Sequence, residues 1–413
     1  MSMKHSDKKK KIAVLFGGRS PEHDVSVVSG LQVLHAIDQS EYEAFPIYIT
    51  TDGRWIAGDE SLKERSNYML SSEQLETLGG WTIDLSATQR PAIIRTRTKL
   101  FASSLERIEF DALIPVFHGL NGEDGNMQGL LESANIPYVG MRTMASAVLM
   151  DKVATKRMLH GSSIAMLPYA VIKRPDQGYM VPEEQIKMLM GDMKFPCIVK
   201  PAHLGSSIGI AKVNDIEQLR TCLPAIFEYD DTAILEPFVD NLVEYNVSVS
   251  KAFGGLKCSA IERPKTSEEL LDFKTKYLSG GDDKTGNKLG TKTGGGAVSE
   301  GMLSLTRDIN PDLPKEMSEQ IKNWACEMFE LMDGSGAPRI DFISNAKTNE
   351  IWLNEVNPLP GSFGYFLWEA AQEPVFFTSF LSSLIKEAFS LHRAHRLPKD
   401  PVPKDARLLK RKS

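Results

Sequence analysis

Apolar residues follow two rhythms along this chain, and their order predicts the architecture. The run IAVLFGG at residues 12 to 18 is continuously apolar and ends in two glycines. The next stretch repeats its apolar residues at helical spacing, with Val27, Leu31, Leu34 and Ile37 on one stripe. A strand, a turn and a helix are predicted. Further strands at FPIYIT and FDALIPVFHG make the chain up to about residue 140 read as a parallel sheet flanked by helices. The stretch from Met144 to Leu159 is predicted helical, and SSIAMLPYAVI reads as a loop entering a strand. FPCIVKPAHLGSSIGIAKV reads as strand, Gly/Ser turn and strand, followed by a helix over DIEQLRTCLPAIF and a strand at AILEPFV. Beyond it, the short strands YNVSVSKAF, GLKCSAIE, RIDFIS and EIWLNEV predict an antiparallel-rich unit.

Length and composition narrow the class. A chain of 413 residues is too long for one ordinary core, so two or three domains are expected. With 42% hydrophobic and 25% charged residues it reads as soluble and globular, and 48 basic against 54 acidic residues argue against a nucleic-acid surface. The cysteines Cys197, Cys222, Cys258 and Cys326 form no C-x-x-C pair, which speaks against zinc or disulfides and for a reducing compartment. No stretch has the length of a membrane span or of a signal-peptide core, so no membrane partner and a cytoplasmic location are expected. Residues 279 to 300 hold seven glycines and three lysines with almost nothing apolar. A mobile insertion and a lid over substrate are equal readings.

Four stretches offer chemistry. In VKPAHLGSSIG a strand delivers Lys200 to a loop in which Gly205 and Gly209 bracket Ser206 and Ser207; this is a phosphate cradle or an ordinary hairpin turn. GGRSPEHDVS follows the first strand but lacks G-x-G-x-x-G, which disfavours a nicotinamide enzyme; Ser20 or Ser26 with Glu22 caps a helix there or flanks an anion. In LNEVN, Glu355 and Asn357 stand two apart, hence on one face of a strand, as do Arg339 and Asp341 in RIDFI. If these strands are neighbours, two acids meet and repel unless cations lie between them, and magnesium is such a cation; a structural salt bridge from Arg339 leaves the second acid unexplained.

In combination these stretches resemble the D-alanine–D-alanine ligases of the ATP-grasp superfamily. The matching segments run in order from about residue 11 to 390: LFGGRSPEHDVS, FHGLNGEDGNMQGLLESANIPYVG, SAVLMDKVATK, VKPAHLGSSIG, TKYLS, RIDFI and LNEVNPLPG. The resemblance implies an α/β and α+β protein of three domains: an N-terminal parallel α/β domain at 12–143, a central ATP-grasp subdomain at 144–239 and a C-terminal one at 240–392. A disordered basic N-terminus at 1–11 and a basic tail at 393–413 flank them. ATP would lie between the last two domains. Lys152, Lys200 and the Gly205, Ser206, Ser207 loop would hold its phosphates, Glu236, Pro237 and Val239 would meet adenine, and Glu244 the ribose. Asp341, Glu355 and Asn357 would bind two magnesium ions, with manganese as an alternative. Glu22, Ser206 and Tyr277 match the polar trio at the first amino-acid site. His118 and Arg339 match residues near the reacting carboxylate and phosphate, and Gly361 a glycine that helps stabilise the oxyanion.

The implied reaction joins two D-alanines through an acyl phosphate for peptidoglycan synthesis, in a homodimer. One departure concerns the acceptor. Where the family places a serine for the second amino acid's carboxylate, GSFGYFLWE places Phe366, whose ring cannot donate a hydrogen bond. A ligase with another acceptor is therefore the alternative, and a non-catalytic nucleotide-binding regulator a further one. Tyr277 is retained, which argues against variants that make D-alanyl-D-lactate.

Overall fold

In a computed structural model, the chain is described at residues 9–64, 68, 70–86, 90–99, 102–205, 209–265, 307–395, 402–403 and 405–408. Ser206, Ser207, Tyr277 and the 279 to 300 segment lie outside these residues, as do most of the two basic ends. The first strand nevertheless begins at Lys10, inside the stretch expected to be disordered.

Strand Lys10–Gly17 lies between Tyr42–Ile49 and Ala112–Val116, parallel to both, with Trp55–Ala57 antiparallel at one edge. A parallel sheet must be covered on both faces, and the apolar run supplies both: Ile12, Val14 and Phe16 enter one core, Ala13 and Leu15 another. The first core takes in Val27, Leu31 and Leu34 of helix His23–Ala36. It also takes in Phe380, Leu381, Leu384 and Ile385 of the last described helix, Phe377–His395. A further antiparallel sheet of Thr82–Ile83, Ala92–Lys99 and Ala102–Glu109 had no counterpart in the pattern reading.

The stretch predicted as one helix from Met144 to Leu159 is two, Thr143–Met150 and Lys152–Met158. Asp151 between them has extended backbone angles, and its Oδ1 accepts from the N–H groups of Val153 (2.8 Å) and Ala154 (3.0 Å), capping the second helix. A four-stranded antiparallel sheet follows in the order Ala211–Val213, Cys197–Pro201, Thr232–Pro237, Ala170–Lys173.

The five-stranded sheet runs Arg307–Ile309, Lys257–Pro264, Leu242–Ser250, Arg339–Asn345, Ile351–Asn357, antiparallel throughout. One face packs on helix Lys315–Leu331, with Ile340, Phe342, Ile351, Leu353 and Val356 against Ile321, Met328 and Phe329. Asp341 pairs with Glu355 but Phe342 pairs with Leu353, so Asn354 is an extra residue, a β-bulge. Strict alternation would send Glu355 into the core with Ile351 and Leu353. The bulge reverses the parity and turns Glu355 and Asn357 to the opposite face.

Candidate active site

The site lies where that polar face of the five-stranded sheet meets the four-stranded sheet and the glycine turns of the first. Asp341 and Glu355 are direct cross-strand partners, and so are Arg339 and Asn357. Arg339 grips Asp341 with two hydrogen bonds of 2.7 Å, and Asn357 Nδ2 donates to Asp341 Oδ2 at 2.9 Å. Glu355 Oε2 stands 3.4 Å from Lys152 Nζ. Both acids therefore have a protein cation, and the second acid is not left unexplained as the sequence reading had it. The sheet does bring Asp341, Glu355 and Asn357 together on the side of Lys152 and Lys200.

Lys152 and Lys200 arrive from different elements. Lys152 opens the helix capped by Asp151, and its Nζ donates to Leu204 O at 2.7 Å. Lys200, on strand Cys197–Pro201, donates to Asn354 Oδ1 at 2.9 Å and pairs with Glu236 Oε2 at 2.7 Å. Glu236 Oε1 also meets Lys156 Nζ at 2.6 Å, and all three side chains are buried. Burial alone would raise the Glu236 carboxyl, but Lys200 and Lys156 outweigh it and hold it below its ordinary value. Burial works against the Lys200 ammonium too, yet Glu236 and Glu355 keep it above its ordinary value. Burial lowers Lys156, and Glu236 offsets only part of that. Glu244 adds to the field on Lys200. Pro237 ends strand Thr232–Pro237, and Val239 packs with Leu167, Ile343 and Trp352 into an apolar cluster on the same side of the sheet.

Past Lys200 the chain turns at His203, whose Nδ1 lies 2.8 Å from Asp230 Oδ1 and whose Nε2 lies 3.4 Å from Asp151 Oδ2. Hydrogen bonds to these two carboxylates push its pKa up to about 10, so the imidazole is a cation. His203 with Asp230 and Asp231 is the metal-like cluster of His, Cys, Asp or Glu among the described residues. Both ring nitrogens of His203 already face carboxylates, so the cluster as it stands is an ion-pair clasp. Asp341, Glu355 and Asn357 fit magnesium better, being oxygen donors gathered beside lysines.

The turns of the first sheet complete the arrangement. Glu22 is buried, and its carboxylate lies beside Gly119 and Gly205: a β-carbon on Gly119 would come within 2.6 Å of Glu22 Oε2, and one on Gly205 within 3.4 Å. Ser20 Oγ bonds His118 O at 2.7 Å, tying the two turns together. His118, whose Nε2 meets Ser29 Oγ at 3.2 Å, has its pKa lowered to about 4 by burial and by Arg339, so it is neutral at pH 7. Glu123 stands behind it, accepting from Gly119 N (2.6 Å) and Leu359 N (3.2 Å); burial and Glu22 raise its carboxyl well above the ordinary range. Gly361 opens a turn in which Ser362, Phe363 and Gly364 all have positive φ, at 47°, 57° and 60°. For serine and phenylalanine this is strained backbone, and it is held by Ser362 bonding Ser29 and Gln32 of helix His23–Ala36.

The family model described as D-ala D-ala ligase N-terminus matches residues 11–141, and that of the D-ala D-ala ligase C-terminus matches 158–292 and 303–386. A D-alanine–D-alanine ligase of Thermosipho africanus is 32% identical over 92% of this chain and 93% of its own. That of Enterococcus faecalis is 33% identical over 87% and 93%. The chain belongs to the D-alanine–D-alanine ligase family. Its fold is the ATP-grasp fold: the ligase structure from Coxiella burnetii superposes with a TM-score of 0.69 at 26% identity, covering 94% of this chain and 95% of that one. The VanG D-Ala:D-Ser ligase of Enterococcus faecalis gives 0.68 at 25%, covering 92% and 100%.

Within this D-alanine–D-alanine ligase fold, several residues of the site escaped the pattern reading. Glu123 sits inside the quoted FHGLNGEDGNMQG, and Lys156 lies four residues after Lys152, one helical turn on. Asn354 had a signal: two polar residues in succession between Leu353 and Val356 break the period of two.

Proposed function

We propose that this ligase joins two D-alanines into D-alanyl-D-alanine, with ATP consumed to ADP and phosphate, for the peptidoglycan precursor. A carboxylate does not condense with an amine in water, so the first carboxylate attacks the γ-phosphoryl group of ATP and becomes an acyl phosphate. The second amine then attacks the acyl carbon, and phosphate leaves from the tetrahedral species. What the protein supplies is alignment and charge neutralisation.

In this reading Lys152, Lys200 and the loop from Gly205 receive the phosphates, while Glu236, Pro237, Val239 and Glu244 receive the adenosine. Asp341, Glu355 and Asn357 would hold two magnesium ions, which neutralise phosphoryl charge when bound. Glu22, with Ser206 and Tyr277, orients the first amino acid; Arg339 and neutral His118 face its carboxylate, and Gly361 offers backbone N–H to the oxyanion. The observation that carries the reading is Glu355 facing Lys152 while Lys200 reaches Asn354, on the strand next to Asp341. The domain divisions at residues 143 and 239 and a cytoplasmic homodimer belong to the same proposal. Among the described residues no helix is long and apolar enough to cross a membrane.

The test is ADP release by the purified protein against D- and L-amino acids, singly and in pairs. D-alanine-dependent release, abolished by EDTA and restored by magnesium, is the expected result. Release that ignores every amino acid refutes the reading.

A further inference from the structure

The polar row of the five-stranded sheet does not stop at Asp341. Asn246 lies directly opposite Asp341, and Glu262 directly opposite Asn246, so Glu355, Asp341, Asn246 and Glu262 share one face across four strands. Asn246 Nδ2 donates to Glu262 Oε1 at 2.8 Å, while its Oδ1 is buried without a partner among the described residues. On the edge strand, Arg307 Nη1 donates to Glu262 Oε2 at 3.0 Å. Its guanidinium carbon lies 4.6 Å from the centre of the Phe366 ring, and its Nε is buried without a partner among the described residues. Phe366 belongs to helix Tyr365–Glu369, directly after the strained turn that starts at Gly361.

These contacts fix a guanidinium on two sides. Glu262 is 2% exposed and its two oxygens are taken by Asn246 and Arg307, so it presents little charge to a visitor. Phe366 covers one face of the guanidinium plane by a cation–π contact. Glu262 engages one of five N–H donors, and a planar fork of this kind suits a second carboxylate. Strands spaced about 4.8 Å apart put the Arg307 strand roughly 14 Å from the Asp341 strand, a gap that an arginine side chain and a small amino acid can span from opposite ends. We propose that Arg307, clamped between Glu262 and Phe366, receives the carboxylate of the amine-bearing amino acid. The acceptor is then an amino acid with a free carboxylate, and Phe366 serves it by orienting the arginine. This rests on the ligase reading above.

The test is a competition between acceptors. The protein is given ATP, magnesium and equal D-alanine and D-alaninamide; the amide has an amine to attack with but no carboxylate to activate, so it enters only as acceptor. The ratio of D-alanyl-D-alanine to D-alanyl-D-alaninamide, read by mass, measures acceptor choice apart from ATP affinity. The wild type is expected to favour the carboxylate by about 30-fold. Arg307→Met should remove most of that preference while the KM for ATP stays put. Arg307→Lys, which leaves Glu262 a counter-charge and so protects the fold, should cut it at least fivefold by loss of the fork. An indifferent wild type, or a ratio unchanged in the lysine variant, overturns the proposal. Absence of any D-alanine-dependent ADP from the wild type would instead overturn the ligase reading, before a variant is made.

Discussion

The clasp at His203 gives the most exposed quantitative prediction. Its imidazolium joins Asp151, which caps the helix bearing Lys152, to Asp230, which also accepts from the N–H groups of His203 (2.7 Å) and Thr232 (3.0 Å). Three elements that carry Lys152, Lys200 and Glu236 thus meet at one charged ring. A rise from 6.5 to about 10 would amount to roughly 5 kcal/mol at 1.36 kcal/mol per pH unit. With 38% of the side chain exposed, screening reduces the effect to about 1–2 kcal/mol. Because the folded pKa is raised, this stability is complete below pH 6.5 and falls as pH rises, the screened effect being used up within about 1 pH unit and the unscreened one only near pH 10. His203→Gln keeps a donor but no charge. Thermal melts from pH 6 to 10.5 should place the variant lower at pH 6 by about 1 °C per kcal/mol, with the two curves converging between about pH 8 and 10. The KM for ATP should rise in the variant at pH 7. Parallel curves across the whole range, or a His203 resonance titrating near pH 6.5, would refute the reasoning.

Glu236→Gln strands Lys156 and Lys200 without their shared carboxylate and should cost about 3–5 kcal/mol, read from denaturant unfolding. Gly119→Ala forces a side chain onto a φ of +78° and within 2.6 Å of Glu22 Oε2 and Ser20 Oγ; a stability loss of about 1–2 kcal/mol is expected, with a larger fall in kcat/KM for D-alanine. His118, lowered to about 4, has the opposite sign to His203: stability should fall as pH drops from 6.5 towards 4, and His118→Gln should flatten that slope in unfolding titrations.

Much of this could be read from residue order, for reasons that vary with the element. A continuous apolar run such as residues 12 to 16 predicts a strand because both its faces are covered, and it is covered on both. Spacing puts Arg339 with Asp341 and Glu355 with Asn357 on shared faces that converge if the two strands are neighbours, but it gives neither the register that pairs Asp341 with Glu355 nor what makes it work. Period two, counted from Ile351, places Glu355 in the core; only the bulge at Asn354 turns it out. The hairpin Ala92–Lys99 and Ala102–Glu109 was missed because it is rich in charge, with Arg95 held by Glu106 and by carbonyls of residues 77 to 79, so its apolar signal is thin. Glu123 and Lys156 lay in view but act through partners distant in sequence, which a single chain does not announce.

The seating of helix Phe377–His395 in the first core bears on how the molecule comes into being. Phe380, Leu384 and Ile385 cover the strand made of Ile12, Val14 and Phe16, so this strand is completed by a helix that leaves the ribosome long after it. Until that helix is made, the parallel sheet has one greasy side waiting, a state that invites association with other nascent chains. A fragment stopped at residue 143 would carry the same defect permanently, and strand Lys10–Gly17 and helix Phe377–His395 are best regarded as one cooperative unit.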